Sequence, residues 1–287
     1  MKKIKYLIPI CILFLTGCTL FKRDNMENIN IITTIYPLEY STNYLYGDSS
    51  VINSIYPDDI DTSTYKLTEK QIKDNSQKDL FIYMGLTSDA DIAVDLINLN
   101  KNLKLIDATF GMEYKEDVSE LWLNPSNLLM ILQNIKNGLD EYIDNTYLKL
   151  EINDKFNELK LELSELDANF KTLIENANKK TIYANDKSAL FLEKYGLTVI
   201  VVNENHELYE KNLALLKEAV ENKKVTYFYR FEDTTLPSSV KELVDASKIK
   251  ELELRNLKNI TDSERNNKEN YINITEKNME NLKKELY

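Results

Sequence analysis

The stretch TYLKLEINDKFNELKLELSELDANFKTLIEN, residues 146–176, decides the fold. Its apolar positions Ile152, Phe156, Leu159, Leu163, Leu166, Phe170 and Leu173 follow one another at spacings of 4, 3, 4, 3, 4 and 3. Such spacing lines up one apolar stripe on an α-helix. At 1.5 Å per residue the helix reaches roughly 45 Å, enough to cross a whole domain. A coiled-coil dimer is the competing reading of the stripe. The heptads are few and strand-like segments resume soon after it, which favours a helix packed within one chain.

Outward from that helix, short apolar runs alternate with helix-like segments. Residues Ile29 to Ile35 are mostly β-branched and end at Tyr36-Pro37, the pattern of a buried strand. Further strands are predicted at Val51 to Tyr56, Leu80 to Met84 and Leu103 to Ile106. Asn124-Pro125 reads as an N-cap followed by proline at the first helical position, and Leu128, Leu129, Ile131, Leu132 and Ile135 carry that helix toward Gly138. Four more strands are predicted at Thr181 to Ala184, Leu197 to Val202, Val225 to Phe231 and Ile249 to Leu254, before a closing helix from Arg265 to Leu286. Alternation of this kind builds mostly parallel sheets covered on both faces. The expected fold is therefore α/β: two Rossmann-like lobes, 29–125 and 179–287, joined through a backbone-helix region at 126–178.

The chain starts with Met1, Lys2, Lys3 and Lys5, an apolar run from Tyr6 to Leu15, and Thr16-Gly17-Cys18. That order is a signal peptide's, spanning 1–17, and its apolar run is too short for a comfortable mature membrane span. Leu15-Thr16-Gly17-Cys18 resembles a bacterial lipobox, which implies a diacylglycerol on Cys18 and a lipid-anchored protein on the extracytoplasmic face of a bacterial membrane. Residues 18–28 read as the polar tether. Cys11 would leave with the leader, so the folded part has neither disulfide nor thiolate chemistry. After processing, 33 basic residues face 47 acidic ones, a formal charge of −14 that repels nucleic acid. His206 is the single histidine, and only six glycines occur. A site needing two imidazoles is impossible within one chain, a histidine-dependent triad is not expected, no Gly-rich phosphate loop follows any strand, and no nucleophile and base pair suggests an enzyme.

Two α/β lobes, one long helix and a lipid tether resemble the zinc and manganese solute-binding lipoproteins of ABC uptake systems. Local matches run through the chain: Ile32-Thr33-Thr34-Ile35-Tyr36-Pro37, Asp79-Leu80-Phe81-Ile82-Tyr83-Met84-Gly85, Leu121-Trp122-Leu123-Asn124-Pro125, Glu193-Lys194-Tyr195-Gly196-Leu197, and the closing helix with Asn278 and Leu282. The resemblance implies an ABC permease as partner and a zinc or manganese ion as cargo, with no resident cofactor. It also implies a metal held by two or three histidines and at least one carboxylate from four loops. By the same resemblance the four ligand positions fall on Ser63, Glu120, Asp186 and Arg255, so every histidine is replaced.

Glu120 and Asp186 are oxygen donors suited to a hard cation. Arg255 has no lone pair to give and would repel a divalent ion. Taken at face value, Arg255 would be a built-in cation between Glu120 and Asp186, with Ser63 completing the hydrogen bonds. A shifted register would instead bring in Asp58, Asp59, Asp61, Glu232 or Asp233. His206 lies in a loop where the family places no ligand, and reads as solvent-facing. The 18 tyrosines read mainly as packing residues. Against the metal receptor stands a metal-independent paralogue that binds another solute or acts as a cell-surface interaction (adhesion) protein.

Overall fold

The computed structural model describes residues 26–287 apart from Asp61, Ser63 and Asp233. The expected leader, Cys18, most of the tether and Ser63 lie outside the described residues. All eight expected strands form: β1 (Ile29–Thr33), β2 (Ser50–Ser54), β3 (Leu80–Tyr83), β4 (Lys104–Asp107), β5 (Thr181–Ala184), β6 (Thr198–Val201), β7 (Tyr227–Phe231) and β8 (Lys250–Leu254). They make two four-stranded sheets of parallel strands, ordered β2-β1-β3-β4 and β6-β5-β7-β8. The two orders are equivalent. In each lobe the first strand lies between the second and third, so the carboxyl ends of β1 and β3, and of β5 and β7, flank a topological switch point.

The first lobe carries helices α1 (Tyr36–Tyr46), α2 (Glu69–Ser76), α3 (Asp89–Leu99) and the single turn α4 (Glu120–Leu123). Helices α5 (Pro125–Tyr142) and α6 (Thr146–Glu175) follow as an antiparallel pair. The second lobe adds a 3-10 helix (Lys187–Tyr195), then α7 (Tyr209–Glu221), α8 (Ser238–Ala246), α9 (Asp262–Asn266) and α10 (Tyr271–Leu286). Asn124 caps α5 as expected, its side chain accepting the Ser126 N–H at 3.1 Å ahead of Pro125 at the first helical position. That helix runs past Gly138 because it packs on β4, and the glycine makes room: Ile106 Cγ1 lies 2.6 Å from where a Cβ would stand.

The apolar stripe of α6 is buried at Ile152, Phe156, Leu159, Leu163, Leu166 and Phe170, as expected, but its last member is Ile174 rather than the half-buried Leu173. A strict seven-residue repeat drifts against the 3.6-residue turn, and one extra residue restores the facing side. The stripe packs on α1 from one lobe and on α10 and the 3-10 helix from the other. One apolar cluster consequently runs through both lobes, from Leu38 and Leu128 through Leu159 to Tyr229 and Tyr271, with smaller clusters under the outer helices of each sheet. The expected closing helix is broken. Lys268 adopts φ 58° and Asn270 begins α10 with a reciprocal cap to Asn273, so the segment becomes α9, a turn and α10.

Candidate functional site

The carboxyl ends of both sheets face each other across the lobe boundary, and the residues there are held by nonlocal bonds. Trp122 is buried in α4; its Nε1–H donates to the Asn256 carbonyl at 2.7 Å and its own carbonyl accepts the Tyr271 hydroxyl at 2.6 Å. Lys194, on the 3-10 helix, donates to Asn124 Oδ1 at 2.9 Å, to Ser126 and to Asp167 of α6. Beside it Tyr195 donates to Asp167 at 2.7 Å and stacks on Phe170, ring centroids 5.3 Å apart. Burial raises the Asp167 pKa, but hydrogen bonds from Ser126, Tyr195 and Lys194 outweigh that and hold it below the usual carboxylate value.

The sequence-predicted residues do not converge. Glu120 lines a cleft of 360 Å³ with Lys115, Asn124, Phe191, Glu193 and Lys194. Its carboxylate is turned back on its own loop, accepting the N–H groups of Glu116 at 2.8 Å, Asp117 at 3.2 Å and Lys115 at 3.3 Å. Asp186 caps the 3-10 helix by accepting the Ser188 N–H at 2.8 Å. Among the described residues no hydrogen bond or ion pair joins Glu120, Asp186 and Arg255 to one another.

The expected bridge from Arg255 to Glu120 and Asp186 is therefore corrected. Arg255 pairs with Glu232 (Nη1 to Oε1, 2.9 Å) and with Glu264 (Nε to Oε1, 2.9 Å; Nη2 to Oε2, 2.9 Å). The reason is register: Phe231 of β7 pairs with Leu254 of β8, so the next residues, Glu232 and Arg255, emerge side by side. Asn278, singled out in the closing helix, fixes the backbone there by accepting the Arg255 N–H and donating to its carbonyl, at 2.9 and 2.8 Å. His206 is half-buried in its loop, and its Nδ1 accepts the Leu208 N–H at 3.1 Å.

Of the register alternatives, Asp58 is bound by Arg265 and Asp59 accepts the Asp262 N–H, while Asp61 and Asp233 lie outside the described residues. Three polar residues had no sequence signal: Glu39 and Arg265, which pair across the boundary at a separation of 226 residues, and Asp89 of the first lobe. Asp89 is buried at the start of α3, near Tyr56, whose pKa is pushed up to about 12 by burial and then by that carboxylate. Burial raises the Asp89 pKa too. Among the described residues no group of three or more histidine, cysteine, aspartate or glutamate side chains is placed to hold a metal ion.

Comparison with known proteins gives a consistent picture. The zinc-binding lipoprotein AdcA of Streptococcus pneumoniae R6 is 26% identical over 310 residues, covering 99% of this chain but 61% of that protein. The chain thus spans about three fifths of the length of this curated relative. The high-affinity zinc uptake system protein ZnuA of Bacillus subtilis is 22% identical over 312 residues, covering 98% of this chain and 96% of that protein. Among solved structures, the metal-dependent lipoprotein YcdH of Bacillus subtilis superposes with a TM-score of 0.76 at 20% identity, covering 90% of this chain and 99% of that one. The Zn(II)-bound ZnuA-like domain of Streptococcus pneumoniae AdcA gives 0.74 at 22%, again covering 90% of this chain and 99% of that one. These structural likenesses share the two-lobed α/β fold. The family profile "Zinc-uptake complex component A periplasmic" matches residues 31–285, nearly all of the described structure, and the chain belongs to this ZnuA family.

Proposed function

We propose that this chain is the solute receptor of an ABC uptake system, anchored through an acylated Cys18 on the outer face of the membrane and presenting zinc or manganese to a permease. The family match across residues 31–285 is the observation that carries the reading. Both relatives named above are described as zinc proteins, which supports a metal cargo. Any ion held here would meet a changed ligand set. Glu120 and Asp186 offer oxygen, which suits manganese better than zinc, and each would first have to release the backbone N–H groups it now accepts.

One observation favours a second reading, a metal-independent paralogue that binds another solute or partner. Arg255 stands at a position where the resemblance implies a ligand, and its guanidinium is already paired with two glutamates. Titration of the chelator-treated protein with zinc and with manganese separates the two. Tight stoichiometric binding of either ion supports the metal receptor, and no binding of both removes the metal clause. The anchor is tested apart from the cargo. Cys18→Ala should move the exported protein from the membrane fraction to the soluble fraction, and an exported variant that stays with the membrane refutes the anchor.

A further inference from the structure

Residues 255–268 form a strap that leaves the second lobe after β8 and lies against the first. At its root Arg255 is tied to Glu232 of its own lobe and to Glu264 of the strap itself, with only 15% of its side chain exposed. Along its length, main-chain groups reach across the boundary. The Tyr36 N–H donates to the Lys258 carbonyl at 2.9 Å, the Asp59 N–H to the Ile260 carbonyl at 3.4 Å, and the Asp262 N–H to Asp59 Oδ2 at 3.1 Å; Asn259 Nδ2 donates to the Ile60 carbonyl. At its far end Arg265 grips two carboxylates of the first lobe. It donates to Glu39 at 2.7 and 3.2 Å and to Asp58 at 2.6 and 2.9 Å.

Three features show that this contact is imposed by the surroundings. Leu257 and Lys268, near the two ends of the strap, and Asp59, opposite its middle, hold left-handed φ values of 62°, 58° and 60° without being glycine. Such backbone persists where neighbouring contacts over-determine it. The Glu39 side chain is 7% exposed, so its charge requires a partner at that depth, and Arg265 supplies it. The two arginines also differ in access to water. Arg255 is sheltered, whereas the Arg265 side chain is 43% exposed, so added salt screens the outer pair more than the inner one.

We propose that the strap is a built-in latch between the lobes: Arg255 fixes it to its own lobe, and Arg265, seated between Glu39 and Asp58, holds the two lobes together at this edge. Release of Arg265 frees the strap from Glu39 and Asp58 of the first lobe, while Arg255 still holds it through Glu232 and Glu264. The latch rests on the geometry of the boundary and holds whether or not the chain carries a metal.

Amide hydrogen exchange on the detergent-solubilised mature protein tests it. In Arg265→Gln, the Tyr36, Asp59 and Asp262 amides should exchange at least ~10-fold faster while α6 and both sheets keep their protection, since a local opening exposes only its own amides. Raising the salt concentration should produce the same local change in the unaltered protein. Asp58→Asn, which spares the buried Glu39 pair, should give the same pattern at smaller size, and Arg265→Lys should fall between the parent and Arg265→Gln because a point charge replaces the bidentate fork. Unchanged exchange in Arg265→Gln overturns the latch. So does uniform loss of protection in every element, which would make Arg265 a support of the core. An Asp58→Asn variant that behaves like the parent also overturns it.

Discussion

Helix α6 and the strap both join the two lobes, by opposite physical means. The helix does so with seven buried apolar side chains spread over a single continuous element. The strap does so with carbonyls, N–H groups and guanidinium–carboxylate pairs between segments some 200 residues apart. Apolar burial is nondirectional and tolerates small shifts, so the helix gives a joint that resists bending. Hydrogen bonds and ion pairs are directional and exposed to competition from water and salt, so the strap gives a joint that can come undone. The lesson is that this cleft has one fixed side and one releasable side.

The largest effect should come from the fixed side. Leu163→Asp places an unpaired charge in the stripe and should destabilise the fold by about 4 kcal/mol, read as a lowered urea midpoint; a loss under about 1 kcal/mol would break the comparison. Next, Trp122→Phe removes the donor to the Asn256 carbonyl at the root of the strap and leaves a small void. It should cost about 2 kcal/mol, checked by the same unfolding curve.

Third, Asp167 is the polar tie between α6 and the 3-10 helix, and its folded pKa is depressed. Its contribution is fully present above the unfolded carboxylate value of about 4 and is lost as pH falls through the lower folded pKa. With a third of the side chain exposed, water limits that contribution to about 1 kcal/mol or less. Asp167→Asn should flatten this acid limb of a stability-versus-pH curve, and an unchanged limb would remove the tie. Smallest of all, Glu158→Gln on the solvent face of α6 should stay within about 0.5 kcal/mol of the parent melting behaviour.

The fixed side was readable from the chain alone, because periodicity is local information. Spacing within 31 residues predicted α6, and short apolar runs predicted every strand to within a few residues. The releasable side was not readable. The family resemblance marked Arg255 as a residue of interest, but its partners depend on the β7–β8 register and on the cap of α9, where Glu264 also accepts from Thr261. Glu39 sits in an ordinary helical position, and nothing near it announces an arginine 226 residues away. The break before α10 was missed because Asn and Lys are tolerated in helices, and the choice of a cap at Asn270 is settled by packing. The match to the ZnuA family confirms the recognised kinship, while Ser63 and Cys18 fall outside the described residues.

The pairing of Glu39 with Arg265 also bears on the order of folding. The first lobe and α6 precede residue 265 in the chain and can form without it. In that state the Glu39 carboxylate has its pocket, on the inner side of α1, without the counter-charge that finally occupies it. Until Arg265 docks, keeping the Glu39 carboxylate solvated costs less than burying it unpaired. Contacts of such sequence separation form late and slowly. Closing of the strap is then expected to follow formation of the first lobe and α6, because its contacts join segments some 200 residues apart.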